Sequence, residues 1–197
     1  MERFIDADCA SCWTDPATPR AGAGVAVLDW IAPSGKQDEA PLSAVVSADA
    51  LTRLQALGHF LGAPGMTVSR AVKTLEPGKL RVAHGLPVAD YLGASIELKP
   101  IPEAAKNKRW TSWLALVEAL PAGTEGSPVE RNLVRNLLRS EWGGGVKSLE
   151  KEQNRFFEQR SMTIAPAVDV SRLRVIGWVE DEKGRLVAAA QSRCRAN

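Results

Sequence analysis

Apolar and polar positions along the chain fall into short runs cut by proline and glycine, and the period within those runs changes partway along. Glu2–Ala7 holds Phe4 and Ile5 inside a short mixed run that stops at Asp8-Cys9, which predicts a strand leading into a loop. Gly24–Ala32 (GVAVLDWIA) is a bounded run rich in β-branched and aromatic residues, the pattern of a buried strand. Between them Pro16 and Pro19 restrict any helix after Cys12 to a very short one, because each ring lacks a donor and clashes with the preceding turn. Ser34–Leu42 is a polar loop. Ser47 is then a good N-cap, and Leu51, Leu54, Leu57 and Leu61 recur at helical spacing until Gly62 and Pro64, which predicts a helix.

Beyond that helix the period becomes two. Met66–Thr74, Lys79–Ala83, Ala94–Leu98, Trp110–Leu120, Phe157–Ile164, Leu173–Glu180 and Leu186–Gln191 read as strands. Turns such as Glu76-Pro77-Gly78 and Glu182-Lys183-Gly184 separate them, so the second half is predicted to be mostly antiparallel β. One stretch departs from this. Val129, Leu133, Val134, Leu137 and Leu138 fit a helical stripe, and periodicity predicts a helix there.

Composition narrows the class without naming a chemistry. Over 197 residues, 45% are hydrophobic and 24% charged, which is globular and excludes a disordered tail, a coiled coil or a disulfide-stapled miniature. Lys plus Arg number 25 against 23 Asp plus Glu, so a net charge of +2 leaves no electrostatic footprint for nucleic acid or an anionic membrane. The richest apolar windows, Gly24–Ala32 and Trp113–Leu120, are about half the ~20 residues of a membrane helix and carry Asp29 and Glu118, so no membrane span is expected. The opening Met-Glu-Arg-Phe-Ile has no secretory signal pattern, which fits either a cytosolic chain or a mature, processed one behind Met1.

The candidate chemistry is in the cysteines. Cys9-Ala10-Ser11-Cys12 follows the first predicted strand, where a redox centre is found in thiol–disulfide exchange proteins. Two intervening residues in a helical first turn bring the sulfurs within bonding distance, and a helix start lowers the Cys9 pKa, making Cys9 the attacking thiol and Cys12 the resolving one. Pro16 and Pro19 shorten that helix and Asp8 opposes thiolate formation. The alternatives are a structural disulfide, within the pair or to Cys194, and a zinc site recruiting His59 or His84, which lacks the second knuckle of a convincing zinc motif. With Cys9 and Cys12 joined, Cys194 is expected to be shielded by Leu186–Ala190 or free for an intermolecular bridge.

Other features read more plainly. Six tryptophans against one tyrosine suit a ligand groove less well than a core, with Trp13 expected to border the thiols. Glu118, Glu125, Arg131 and Arg135 read as solvated strand-end charges. Gly22-Ala23-Gly24 precedes a strand and is no dinucleotide loop, Gly143-Gly144-Gly145 has no adjoining Lys-Ser/Thr, and neither histidine accompanies a Gly-x-Ser-x-Gly element.

Glu2-Arg3-Phe4-Ile5-Asp6-Ala7-Asp8-Cys9-Ala10-Ser11-Cys12 resembles the start of mature chains in a group of secreted bacterial thioredoxin-like proteins of unknown function, the DUF1223 and Omp28-related group. Val25–Ile31 looks like that group's second strand. Trp113–Glu118, Gly123–Gly126 and Asn132–Arg135 are similar to its Gly-Glu-Asn and Val-Val-Arg segments, and Val175–Asp181 with Gly184–Ala190 is similar to its terminal hairpin. The resemblance implies a periplasmic or secreted mature chain of α+β class: a thioredoxin-like part over residues 1–90 and an antiparallel β-rich, sandwich-like part over 91–197, or one continuous domain. It makes Leu133–Leu138 a strand, against the periodicity, and matches Cys9 and Cys12 to the group's cysteine pair. Leu86-Pro87-Val88 is the best candidate for a cis-proline facing the thiols. The expected function is thiol–disulfide exchange on protein thiols, with Cys9 and Cys12 catalytic, Trp13 and Pro87 binding, and no cofactor or metal. The alternative is a non-enzymatic envelope binding module, with an envelope protein as partner and the cysteines as a staple.

Overall fold

The computed structural model describes residues 1–62, 64–72, 79–101, 108–143, 154–166 and 168–192. The Glu76-Pro77-Gly78 turn, Gly144-Gly145 and Cys194 lie outside them. In chain order the elements are β1 (Glu2–Asp6), α1 (Ala10–Thr14), β2 (Leu28–Ala32), α2 (Asp49–Ala56), β3 (Gly65–Val68), β4 (Lys79–His84), β5 (Tyr91–Lys99), β6 (Arg109–Leu120), β7 (Arg131–Gly143), β8 (Phe156–Thr163), β9 (Leu173–Glu180) and β10 (Leu186–Gln191).

The expected α+β, thioredoxin-like fold is corrected by this inventory. The protein is mostly β, and among the described residues only α1 and α2 are α-helices, of five and eight residues. The strands form a seven-stranded sheet ordered β10-β9-β6-β7-β2-β1-β3 and a three-stranded sheet ordered β4-β5-β8. Local chemistry accounts for the scarcity of helix. α1 stops at Thr14, where Asp15 turns extended ahead of Pro16, and α2 stops short of Gly58, which has a φ of +71°. The stretch Leu133–Leu138 lies inside β7, so its helical stripe misleads. Leu133 and Val134 are consecutive and both buried, as in a strand covered on two faces, and apolar positions so spaced satisfy either period.

By contact the chain divides into two units, Met1–Arg70 with Val117–Asn136 and Asp169–Leu173, and Ala71–Leu116 with Leu137–Val168 and Arg174–Asn197. In the first, β1 runs parallel to β2 (Phe4 opposite Trp30) and antiparallel to β3 (Phe4 opposite Met66). Phe4 and Trp30 stack with ring centroids 5.8 Å apart. The α2 helix does not bury the leucine stripe read from the sequence: it buries Ala50, Arg53 and Leu54, while Leu51 is exposed. Arg53 grips the Glu2 carboxylate through Nε and Nη2, both at 2.8 Å.

The centre of this unit is a buried carboxylate, Asp29 of β2. Its Oδ1 accepts from Arg131 Nη1 at 3.0 Å, and its Oδ2 accepts from Arg3 Nη2 at 2.8 Å and from the Asn132 N–H at 2.9 Å. Asp29 and Arg131 are fully buried, so the "solvated" reading of Arg131 is wrong. Glu118, also buried, pairs with Arg135 at 2.6 Å, and Glu125 pairs with Arg172 at 3.3 Å, so of the four charges read as solvated two pair with each other and the other two, Arg131 and Glu125, pair elsewhere. Burial pulls the Arg131 guanidinium below the ordinary arginine value, and Asp29 pushes it back up.

In the second unit Trp113 and Trp178 stack at 5.8 Å, and both indoles donate to the buried Glu180, at 2.9 and 3.2 Å. All six tryptophans are 7% exposed or less, which makes them core rather than groove. Gly177 of β9 sits where strands approach most closely: a Cβ there would lie 2.6 Å from Val82 Cγ2 and 3.1 Å from Ile96 Cδ1.

Two outcomes follow for stability. Gly177→Ala drives a methyl into a valine whose χ1 is stiff, and urea unfolding should show a loss of about 1–3 kcal/mol; an unchanged midpoint would contradict the close approach. Asp29→Asn removes the one negative charge between two buried guanidinium groups and should cost about 3–5 kcal/mol, whereas a loss below about 1 kcal/mol would show that the ion cluster is energetically idle.

Candidate functional site

Cys9 and Cys12 are joined in a disulfide with a Cα–Cα distance of 5.2 Å. The pair sits where β1 ends and α1 begins. Asp6 terminates the strand, the Asp8 N–H donates to Asp6 Oδ1 at 2.8 Å, and Cys9 takes the N-cap position of α1. Both cysteines are half-buried. They rest on an apolar cluster that includes Ile5, Trp13, Ile31, Leu120 and Leu133.

The two sulfurs have opposite surroundings. Cys9 Sγ accepts from the Cys12 N–H at 3.2 Å, and the Ser11 hydroxyl oxygen lies 3.5 Å from it. Cys12 Sγ faces an acceptor instead, the Pro64 carbonyl oxygen at 3.6 Å. Next along, a Cβ at Gly65 would touch Cys12 Sγ at 3.7 Å, so the glycine leaves that flank of the sulfur without a side chain against it. The Asp8 carboxylate, expected to bear on Cys9, accepts the Ser34 hydroxyl at 2.9 Å.

A cleft of about 320 Å³ opens beside Cys12, walled by Phe4, Ile5, Pro19, Pro64 and Met66 together with Arg3. Its floor is held by the Asp29 cluster. Arg3 Nη1 donates to the Pro19 carbonyl at 2.9 Å, which fixes the proline-rich segment after α1. Arg131 donates from Nη2 to the Trp13 carbonyl at 2.8 Å and lies 4.5 Å above the Trp13 ring, whose Nε1 donates to the Glu125 carbonyl at 2.8 Å. Held at both ends, Trp13 is part of the base under the disulfide, not a mobile wall.

The structure brings Cys9, Cys12 and Trp13 together. Pro87 it places in the other unit, in the connection between β4 and β5, and the cis peptide bond found among the described residues precedes Pro100. The histidines offered for zinc belong to different units, His59 just after α2 and His84 at the end of β4, and among the described residues no group of three or more His, Cys, Asp or Glu side chains could hold a metal ion. Sequence reasoning missed Asp29, Arg3, Arg131, Pro64 and Gly65. An acid in the apolar run GVAVLDWIA was a usable signal for Asp29, because a charge inside such a run must be paired when buried. Nothing local to Pro64-Gly65 announces that it meets Cys12, 52 residues away in sequence.

No family model and no curated protein matches the chain. Among solved structures it is similar, at 7% identity and a TM-score of 0.30, to a β-glucosidase from Kluyveromyces marxianus in complex with glucose. That match covers 74% of this chain and spans 17% of the other.

Proposed function

We propose that Cys9 and Cys12 form a dithiol–disulfide centre that exchanges with protein thiols, Cys9 attacking and Cys12 resolving. The observation that carries this reading is the opposed surroundings of the sulfurs, a donor N–H at Cys9 Sγ and a carbonyl oxygen at Cys12 Sγ. A donated N–H favours a sulfur's thiolate, and a neighbouring carbonyl acceptor favours the protonated thiol. After reduction the same arrangement makes Cys9 the lower-pKa thiol, the one that attacks. The Cys9 thiolate attacks one sulfur of a partner disulfide, forms a mixed disulfide and releases the partner's other sulfur as a thiolate. The Cys12 thiol then gives its proton to that departing thiolate and attacks Cys9 Sγ, closing the internal disulfide and expelling the partner's second sulfur. The partner gains two electrons; the reverse sequence oxidises it.

A staple is the second reading, favoured by the packing of both cysteines on the Ile5–Trp13 cluster. Loop closure weighs against it. A four-residue loop stabilises by about 2 kcal/mol in the chain-entropy account, against nearly 5 kcal/mol for a hundred-residue loop, so this spacing is a poor investment for stability alone. An oxidising compartment, periplasmic or extracellular, is the setting that suits either reading, in keeping with the resemblance of the Glu2–Cys12 segment to secreted chains.

Titration of the folded protein against glutathione, read by thiol labelling, should interconvert the dithiol and disulfide reversibly. With oxidised glutathione at neutral pH, Cys12→Ser should form a mixed disulfide at Cys9 about threefold or more faster than Cys9→Ser forms one at Cys12, because a thiol of lower pKa gains in thiolate fraction more than its thiolate loses in nucleophilicity. Equal rates would remove the assigned roles. A pair that only unfolding renders reducible would establish the staple. Gly65→Val places a branched side chain beside Cys12 Sγ and should slow the resolution of a Cys9–glutathione mixed disulfide by Cys12 several-fold with an unchanged circular dichroism spectrum; an unaltered rate would show that Cys12 does not resolve from this side.

A further inference from the structure

β3 ends its sheet, and the outer side of its backbone carries no hydrogen bond among the described residues. Its register against β1, with Met66 opposite Phe4 and Val68 opposite Glu2, continues to Pro64, whose carbonyl accepts the Asp6 N–H at 2.9 Å. Residues 64, 66 and 68 therefore occupy the hydrogen-bonded pairs. By the alternation of an antiparallel ladder, Gly65 and Thr67 turn their N–H and C=O groups outward, and both residues are exposed. Edges left open in this way are usually blunted by charge, proline or a bulge. The strand Gly65-Met66-Thr67-Val68 carries no charge and no proline.

This edge begins at the disulfide. The space above Gly65 is the space beside Cys12 Sγ, and the cleft there is shared by Cys12, Gly65, Met66 and Thr67. A chain hydrogen-bonded to Gly65 and Thr67 would carry its side chains directly past the sulfur. We propose that the occupant is an extended, cysteine-bearing segment of a partner protein, added to β3 as a further strand with its cysteine at the Cys12 end of the pair, within reach of the Cys9 sulfur that forms the mixed disulfide. This rests on the exchange reading of Cys9 and Cys12 and gives it a substrate class: cysteines in unfolded or loop segments that can lie extended, recognised by backbone before side chain.

The test separates docking from chemistry. The probe is a seven-residue peptide of alternating valine and threonine with a central serine in place of cysteine, titrated calorimetrically into the oxidised protein. Wild type should bind it. N-methylation of the peptide at alternate amides along one edge should weaken binding at least about tenfold, and methylation along the other edge should not. On the protein side Thr67→Pro deletes an outward N–H without touching the β1 ladder and should weaken binding to the same degree, with Thr67→Val, which restores the N–H, recovering it. If Thr67→Pro fails to fold, the two methylated peptides on wild type still decide. No binding by wild type, or equal binding of both methylated peptides, overturns the docking proposal. Because the peptide has no sulfur, that failure is distinct from a failure of the glutathione titration, which overturns the exchange reading instead.

Discussion

One carboxylate, Asp29, holds the first unit in register. Stripping an acid and two guanidinium groups of water costs several kcal/mol per ion, and that cost is offset only where the lone pairs and protons find partners. Here they do: Asp29 accepts from Arg3, Arg131 and the Asn132 amide. Other donors of the two arginines reach the rest of the chain, Arg3 donating to the Pro19 and Glu130 carbonyls and Arg131 to the Trp13 carbonyl and the Ser127 hydroxyl, while Arg3 Nε lies 2.7 Å from Asp29 Oδ1 as an ion-pair contact. β1, β2, the segment after α1 and the start of β7 are thereby tied to one atom group. The disulfide occupies its position because β1 below it and Trp13 beside it are both anchored there.

That anchoring explains a conflict between packing and reactivity at the pair. A disulfide sunk in an apolar cluster is inert, since an attacking thiolate must reach a sulfur along the S–S axis. A disulfide on a mobile loop is reachable but has no fixed donors. Cys9 and Cys12 are half-buried with their backs on the Ile5–Trp13 core and one sulfur open beside a glycine. The helix contributes little: with five residues and no charged group in its turns, α1 supplies one well-placed N–H, from Cys12, rather than a field.

The parts of this structure legible in the sequence are those that depend on neighbours along the chain. The short helix ahead of Pro16, the strands at Lys79–His84, Trp110–Leu120 and Leu173–Glu180, and the Glu182-Lys183-Gly184 turn follow from period and punctuation. What failed depends on partners far away. The Leu133–Leu138 stripe serves a helix or a strand equally until β2 pairs with it at Asp29 and Leu133. Arg131 looks like a strand-end charge until Asp29 is placed against it. The thioredoxin-like expectation rested on a resemblance carried by short segments, Glu2–Cys12 first among them, and such segments describe local strands and turns and say nothing of whether the residues between them choose helices or sheets. Within the candidate site the cysteine pair and Trp13 were readable, whereas Pro64 and Gly65 were not.

The same long-range dependence bears on how the site and the sheet edge came to share a place. An open edge strand is a hazard, because its unpaired groups recruit other chains without selection. β3 keeps that hazard small by length alone, with four residues and two outward-facing pairs of backbone groups. So short an edge gives a partner segment few hydrogen bonds, each of modest net worth in water, and cannot by itself hold a chain firmly. Under the proposed exchange reading, a covalent bond to Cys9, the partner of the Cys12 that borders this edge, changes the balance: the weak strand pairing would orient the partner's cysteine, and the mixed disulfide would hold it until Cys12 resolves it. If both proposals hold, weak, sequence-tolerant docking joined to reversible covalent capture is a combination that would bind many extended cysteine segments and retain none of them.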